Sequence, residues 1–113
     1  MLGALQITEG PDQGRSHFFG RQKKVTIGRA VDASVCLKDT QASRTHCEVY
    51  YEGDRVMVSD AGSSTGTWVN GHQIWAPQEL RAGDVILVGQ TKLTFQLADS
   101  DQNTTEAWPP AAE

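Results

Sequence analysis

Apolar residues alternate with polar ones along many short segments of this chain, and this alternation constrains the fold more than any other feature. In the segment LTFQL, Leu93, Phe95 and Leu97 fall on one side of an extended chain, while Thr94 and Gln96 fall on the other. A period of two indicates half-buried β-strands, and a helix-length pattern is missing. The sequence therefore predicts about ten short strands, in residues 5–7, 17–19, 25–27, 35–37, 47–51, 56–58, 68–69, 74–75, 85–88 and 93–97.

Turn-forming residues separate these segments at regular intervals. The Asn70–Gly71 dipeptide, between TWV and HQI, is the strongest hairpin signal, because both residue types suit the positive φ angles of a type I′ turn. Many short strands joined by such turns predict an all-β sandwich or barrel. The chain has 113 residues, enough for one domain with its own core. We assign this domain to residues 1–98 and expect a disordered tail or linker over residues 99–113, which are polar, acidic and without periodicity.

The charge balance excludes some classes of partner. Ten Lys and Arg against fourteen Asp and Glu give a formal net charge of −4, so the overall field repels nucleic acid and anionic membrane. Arg21, Lys23 and Lys24 form a short basic run that we interpret as a solvated strand edge or loop. Cys36 and Cys47 lie in apolar runs without a metal-ligand spacing, so we expect reduced, buried thiols in a cytoplasmic protein. Neither a signal peptide nor a transmembrane helix is predicted in this segment.

The segment GSSTG, residues 62–66, formally matches the G-x-S-x-G nucleophile motif of α/β-hydrolases with Ser64 as the nucleophile. That motif requires a following helix, whereas TWVNG predicts a strand and a hairpin turn. The order His46, Asp60, Ser64 does not by itself define the geometry of a triad. The histidines share no metal-ligand spacing and no P-loop is present, so we expect no catalysis, no metal and no cofactor. Single aspartates beside turn formers are interpreted as turn caps: Asp39, Asp60 and Asp84.

Arginines and hydroxyls occur together in several of the predicted loops. Arg29 follows the strand KVTIG, Ser43 and Arg44 precede the strand HCEV, and Ser64 and Thr65 follow the strand VMVSD. An arginine at a strand end is, taken alone, most often a surface charge. Loops at one end of a sandwich can converge, however, and two guanidiniums with three hydroxyls match a tetrahedral phosphate dianion. No general base is assigned beside them, so the pattern favours binding without turnover.

Four motifs in order carry a resemblance to a known family: TIGR at 26–29, SRTH at 43–46, SSTGTWVNG at 63–71 and LRAGDVILVG at 80–89. Together they resemble the forkhead-associated (FHA) domain, over nearly everything except the tail. The resemblance implies an all-β, FHA/SMAD-like sandwich of about eleven mostly antiparallel strands with its ligand loops at one end. It also implies a signalling module that binds phosphothreonine peptides made by a Ser/Thr kinase. The alternative is a phospho-independent interaction or structural domain.

The resemblance assigns roles to individual residues. Arg29 matches the arginine that holds the phosphate, and Ser43 matches a serine that donates to it. Arg44 matches a position that commonly adds a phosphate or peptide-backbone contact. Ser64 matches a hydroxyl residue expected to touch the phosphate and to help form a small pocket for the threonine methyl group. His46 matches the histidine that holds the loops in place, so we interpret it as a structural hydrogen-bonding residue.

Three further positions complete the predicted loops. Gly28 allows the chain to bend before the arginine. Gly66 and Asn70 match residues that shape the last loop, and Asn70 is also expected to meet the backbone of the peptide. Thr65 is a departure, because it stands where the family often has asparagine, so we expect phosphate binding to persist with a weaker or differently aimed peptide clamp. Gln41 lies near the positions that read the flanking residue in the family, and its neutral side chain gives no charge preference.

The expected partner is a phosphothreonine-containing protein, with no nucleic acid and no membrane for this segment, and the chain can be one part of a larger multidomain protein. The tail carries Thr104 and Thr105 beside Glu106. Phosphorylation of either threonine could create an internal ligand for the domain, whereas an inert linker is the simpler interpretation.

Overall fold

The computed structural model describes residues 2–21 and 24–98, and these residues form a sandwich of two β-sheets with eleven strands, which confirms the predicted fold class. The predicted tail, with Thr104 and Thr105, lies outside the described residues, and so does Lys23 of the basic run. The strands are β1 (Leu2–Glu9), β2 (Ser16–Phe19), β3 (Val25–Gly28), β4 (Val35–Cys36), β5 (Cys47–Glu52), β6 (Arg55–Asp60), β7 (Thr67–Val69), β8 (His72–Gln73), β9 (Gln78–Leu80), β10 (Val85–Val88) and β11 (Thr91–Ala98).

The order of the strands determines which loops become neighbours. One sheet has six strands in the order β2-β1-β11-β10-β7-β8, and the other has five in the order β4-β3-β5-β6-β9. β3 pairs with β4 in parallel, whereas β3 with β5 and β5 with β6 are antiparallel. Cys47 lies opposite Ile27 of β3 and opposite Asp60 of β6. The end of β3, the start of β5 and the end of β6 therefore lie at the same end of this sheet.

The core consists of side chains that alternate along the facing strands. Leu93 and Phe95 of the six-stranded sheet and Ile27 and Val49 of the five-stranded sheet are all fully buried. Burial of each such side chain contributes about 1.5–3 kcal/mol. The predicted alternation of LTFQL is thus confirmed at Leu93 and Phe95, whereas Leu97, near the end of β11, is 42% exposed.

The hairpin predicted at Asn70–Gly71 is confirmed. Both residues have positive φ, 51° and 84°, and Val69 of β7 pairs with His72 of β8 directly across the turn. This is the geometry for which an Asn-Gly dipeptide has little strain.

Two details of the predicted strands were wrong. The second strand of this hairpin is His72–Gln73, and the predicted strand at residues 74–75 lies instead in the connection to β9. Pro77 follows this segment, and its missing N–H cannot contribute to a sheet ladder. β9 was not predicted, because a strand of three residues with one buried side chain, Leu80, carries too little alternation to detect.

Two further sequence predictions concern the environment of the chain. Among the described residues, no helix is long and apolar enough to cross a membrane. Cys36 and Cys47 are both free thiols, and Cys47 is buried whereas Cys36 is only partly so. Burial raises the pKa of the Cys47 thiol above its ordinary value, so this thiol is a small packed hydrophobic group.

Candidate functional site

Three loops meet at one end of the sandwich, where the end of β3 and the end of β6 lie beside the start of β5. They are the β3–β4 loop, which begins at Arg29, the β4–β5 loop with Ser43 and Arg44, and the β6–β7 loop with Ser64 and Thr65. Hydrogen bonds between the loops, described below, hold them together. The predicted convergence of these loops is therefore observed.

Gly28, the last residue of β3, is required by the close approach of the β4–β5 loop. A Cβ atom at this position would overlap the carbonyl oxygen of Arg44 and lie 2.8 Å from that of Ser43. The described glycines with positive φ do not include Gly28. Glycine is therefore needed at position 28 because the backbone of the β4–β5 loop leaves no room for a Cβ atom. The bend expected from the sequence is not the reason.

Arg29 is fixed at its backbone and at Nε, while its outer nitrogens remain available. Its N–H donates to the carbonyl of Ser43 at 3.0 Å, and Nε donates to the carbonyl of Ala42. The residue is exposed, and no acceptor within residues 2–21 and 24–98 contacts the two terminal guanidinium nitrogens. A planar guanidinium held in this way can offer parallel N–H groups to an incoming anion.

Ser43 and Ser64 form a pair of hydroxyls that joins the β4–β5 and β6–β7 loops. Their Oγ atoms are 3.1 Å apart, although the residues are 21 positions apart in the sequence. The backbone N–H of Ser64 also donates to Oγ of Ser43 at 2.9 Å. Because the carbonyl of Ser43 accepts the backbone N–H of Arg29, hydrogen bonds through Ser43 connect the start of the β3–β4 loop to Ser64.

His46 holds two loops through its ring. The side chain is fully buried, Nδ1 accepts the N–H of Ser43 at 3.0 Å, and Nε2 lies 2.8 Å from the carbonyl oxygen of Gly66. Since Nδ1 is an acceptor, the ring proton is on Nε2 and is donated to Gly66. Both nitrogens are thereby used within the protein, as expected for a residue that maintains the structure of the loops.

Asp60, at the end of β6, caps the turn that follows it, as expected from the sequence, and also bonds to the first residue of β7. Its carboxylate accepts the N–H groups of Gly62 at 2.9 Å and Ser63 at 3.0 Å, the hydroxyl of Ser63, and the hydroxyl of Thr67 at 2.7 Å. Burial alone would raise the pKa of Asp60, but these hydrogen bonds outweigh it and hold the pKa below its ordinary value. The carboxylate therefore fixes the turn that precedes Ser64.

Asp39 does the same for the β4–β5 loop. Its side chain is 1% exposed and accepts the N–H of Gln41 at 2.9 Å, the N–H of Gln90 at 2.7 Å and the hydroxyl of Thr91 at 2.7 Å. These bonds attach the loop of Ser43 to the turn between β10 and β11. Burial opposes ionisation, but the bonds from Thr91, Gln41 and Gln90 hold the pKa of Asp39 below its ordinary value.

The β6–β7 loop leaves Thr65 exposed beside Gly66. Gly66 has a φ of 90°, a backbone conformation that favours glycine, and a Cβ atom there would also displace the end of the Gln73 side chain. The backbone N–H of Gly66 donates to the Ser63 hydroxyl at 2.9 Å. No side-chain hydrogen bond engages the Thr65 hydroxyl within the described part of the chain, although its carbonyl accepts from Nε1 of Trp68 at 3.5 Å.

Asn70 is the one predicted binding residue that the structure does not bring to this group. It follows the far end of β7, in the β7–β8 turn. Its side-chain NH₂ donates to Asp84 at 3.0 Å, and its side-chain oxygen accepts the N–H of Val85 at 3.0 Å. These bonds attach the hairpin to the start of β10, and contact between Asn70 and a peptide stays a prediction.

Arg29 and Arg44 place two exposed positive charges on these loops. Both are exposed, and the carbonyl of Arg44 accepts the N–H of Ala30 at 3.1 Å. Over the described ranges, the ion pairs use other basic residues, and neither of these two arginines takes part in one. Their charge is therefore available to a bound anion, despite the net charge of −4.

The His46–Asp60–Ser64 order does not form a catalytic triad. The Ser64 hydroxyl contacts Ser43, the two ring nitrogens of His46 contact Ser43 and Gly66, and Asp60 binds its own loop. A strand, β7, follows the loop where the hydrolase motif requires a helix. Within the described residues, no three His, Cys, Asp or Glu side chains are placed to share a metal ion.

The fold is a β-sandwich whose loops gather exposed arginines and hydroxyls at one end. The model of the FHA domain family matches residues 25–89, a range that contains all nine of the site residues predicted from the sequence. The chain belongs to the FHA domain family.

Known relatives agree with this assignment. The oxoglutarate dehydrogenase inhibitor of Corynebacterium jeikeium is 36% identical over 91 residues, which are 80% of this chain and 62% of that protein. The glycogen accumulation regulator GarA of Mycolicibacterium smegmatis is 35% identical over 91 residues, 80% of this chain and 56% of that protein. This chain thus matches less than two thirds of the length of either curated relative.

A solved structure from a structural and functional analysis of phosphothreonine-dependent FHA domain interactions superposes with a TM-score of 0.78. It is 31% identical to this chain, and the match covers 88% of this chain and 99% of the other. The similarity therefore extends over nearly the whole described sandwich.

Proposed function

We propose that this domain binds phosphothreonine peptides and thereby recruits proteins phosphorylated by a Ser/Thr kinase. The observation that carries the proposal is the connected set of Arg29, Ser43 and Ser64, held by direct hydrogen bonds among themselves. A phosphate dianion needs several donors converging on its oxygens, and a guanidinium fork with two hydroxyls provides them. Arg44 adds charge at the rim, and Thr65 adds a third hydroxyl beside Ser64.

The relatives support this proposal in two ways. One solved structure that matches nearly the whole sandwich comes from an analysis of phosphothreonine-dependent FHA domain interactions. Two relatives that match most of this chain are named as an enzyme inhibitor and a regulator, names typical of proteins that act by binding. Because they are longer than the matched region, the partner and the pathway of this chain are separate proposals.

Binding without catalysis follows from the use of the potential proton acceptors. His46 and Asp60 are hydrogen-bonded to the loops that they hold, so neither serves as a general base for Ser64. We infer a non-enzymatic adaptor that works in the cytoplasm, where its free thiols remain reduced. No cofactor is required for capture of a phosphopeptide by arginines.

A degenerate peptide library, presented in phosphothreonine, phosphoserine and unphosphorylated forms, tests the proposal. We expect enrichment of the phosphothreonine form by the wild type, and loss of this enrichment in Arg29→Ala. Arg55→Ala is the matched control, because Arg55 is an exposed arginine at the opposite end of β6 from the site. Equal binding of phosphorylated and unphosphorylated peptides would contradict the proposal and favour a phospho-independent interaction domain.

A further inference from the structure

A cavity lies beside Ser64 of the candidate phosphate site, between the β6–β7 loop and the segment that connects β8 to β9. Its volume is about 440 Å³, and it is open to solvent. Ser64 and Thr65 line one side, and Trp75, Ala76 and Pro77 line the other. Ser64 thus belongs both to the candidate phosphate site and to the lining of this cavity.

Trp75 is an exposed aromatic side chain next to a residue that is buried and hydrogen-bonded to β7. It is 84% exposed, whereas the preceding Ile74 is buried, and the N–H of Ile74 donates to the carbonyl of Thr67 at 2.9 Å. Pro77 restricts the chain on the other side. An exposed tryptophan on a rigid support loses little conformational entropy on binding, which is typical of residues that dominate interaction surfaces.

The lining of the cavity is free of available charge. Asp60 is its one charged lining residue among those described, and the Asp60 carboxylate is occupied by four hydrogen bonds from Gly62, Ser63 and Thr67. The remaining polar lining consists of hydroxyls and the amide of Gln73. Such a surface selects against Lys, Arg, Asp or Glu, because a charged side chain would lose water without gaining an ionic partner.

We propose that this cavity, with Trp75 as its wall, binds an apolar or aromatic side chain of the phosphopeptide close to the phosphothreonine. Because Ser64 lines the cavity, this side chain lies close to the phosphothreonine along the peptide. The proposal rests on the proposed function and adds to it the chemistry of one flanking residue. It also assigns a binding role to Trp75, which belongs to none of the four sequence motifs that carry the resemblance.

The segment that connects β8 to β9, including Trp75, also lines a second cavity of about 530 Å³, together with Asn70, His72 and Asp84. The cavity that contains Ser64 and Thr65 is the better site, because a peptide anchored at its phosphate reaches it without turning around the hairpin. In the second cavity, Asp84 already bonds to Asn70 and to the N–H of Arg81.

A positional-scanning library of phosphothreonine peptides tests this inference on the wild type, Trp75→Gln, Trp75→Phe and Leu97→Gln. Leu97 is the matched control, an exposed apolar side chain on β11 outside this cavity. In the wild type we expect apolar or aromatic residues to be preferred by about tenfold over charged ones at one flanking position. Trp75→Gln should lose this preference and keep the requirement for phosphate, while Trp75→Phe and Leu97→Gln should retain both.

The possible failures are distinct. Phosphothreonine dependence without any flanking preference sensitive to Trp75 would overturn this inference and leave the proposed function in place. Loss of phosphothreonine dependence in the wild type would overturn both. Self-association that Trp75→Gln abolishes, measured by analytical ultracentrifugation without peptide, would assign the cavity to a second copy of the chain and contradict the peptide-binding role.

Discussion

The buried ring of His46 donates from Nε2 to the carbonyl oxygen of Gly66 across 2.8 Å, and this bond joins the β4–β5 loop to the β6–β7 loop. The other ring nitrogen accepts the N–H of Ser43, so a single imidazole fixes the backbone next to both serine hydroxyls. The two loops are thus linked by a buried residue whose two ring nitrogens both form hydrogen bonds within the protein.

His46→Ala should destabilise the domain by about 2–4 kcal/mol, because it leaves the partly buried N–H of Ser43 and carbonyl of Gly66 unpaired and opens a cavity where the buried ring was. Chemical denaturation at neutral pH measures the change in the free energy of unfolding. Thr45→Ala, an exposed neighbour in the same loop, is the control and should change it by less than about 0.5 kcal/mol. A similar effect of both substitutions would show that His46 does not hold the loops.

Gly28→Ala should be costly although the added group is one methyl. The new Cβ would overlap the carbonyl of Arg44, so the β4–β5 loop must move, at an expected cost of about 2–4 kcal/mol. Gly20→Ala is the control, because its Cβ would meet only Leu2, at an ordinary 3.7 Å. Thermal denaturation compares the two variants, and equal melting temperatures would contradict the observed approach of the two backbones.

The contribution of Asp39 should depend on pH. Its folded-state pKa is below the unfolded value of about 3.9, so the folded chain binds fewer protons than the unfolded chain in the acidic range. The stabilisation is therefore complete above about pH 5 and is lost as the pH falls through the folded pKa. Asp39→Asn should cost about 2–4 kcal/mol at pH 7 and progressively less toward pH 2, by denaturant titration. A difference that is constant over this range would exclude the carboxylate as its source.

Thr65→Asn should strengthen peptide binding by about fivefold, since an amide can both donate to and accept from a peptide backbone where the threonine offers one hydroxyl. Thr65 is exposed, so the change should leave the free energy of unfolding nearly constant. Isothermal titration calorimetry with one phosphothreonine peptide measures the difference, and Thr65→Ala provides the comparison without either group. Weaker binding by Thr65→Asn than by Thr65→Ala would contradict the expected backbone contact.

Local sequence patterns were sufficient for features that depend on neighbouring residues. The Asn70–Gly71 turn, the buried positions Leu93 and Phe95, and the strand after Ser64 follow from spacing and residue type. The grouping of Arg29, Ser43 and Ser64 was expected from the positions of loops in a sandwich and from the four family motifs. In these cases, each property is determined by a short segment or by the order of segments.

Roles that depend on distant contacts could not be predicted in this way. Asp39 binds the hydroxyl of Thr91, 52 positions away, and a lone aspartate in a turn gives no sign of such a partner. Gly28 is needed because of the backbone at Arg44, and only the register of β3 against the next loop reveals it. The turn-capping role of Asp60 was predicted, because an aspartate two residues before Gly62 favours local hydrogen bonds to the backbone, whereas its bond to Thr67 was not.

The most direct measurement is the affinity of a phosphothreonine peptide for the wild type and for Arg29→Ala, determined by calorimetry. Arg55→Ala is the control for loss of one positive charge. Arg29→Lys separates the effect of the charge from that of the planar guanidinium. We expect Arg29→Ala to weaken binding by about 2–5 kcal/mol, or roughly 30-fold to several thousand-fold, Arg29→Lys to recover only part of this loss, and Arg55→Ala to bind like the wild type. Unchanged affinity in Arg29→Ala would contradict the assignment of the phosphate site.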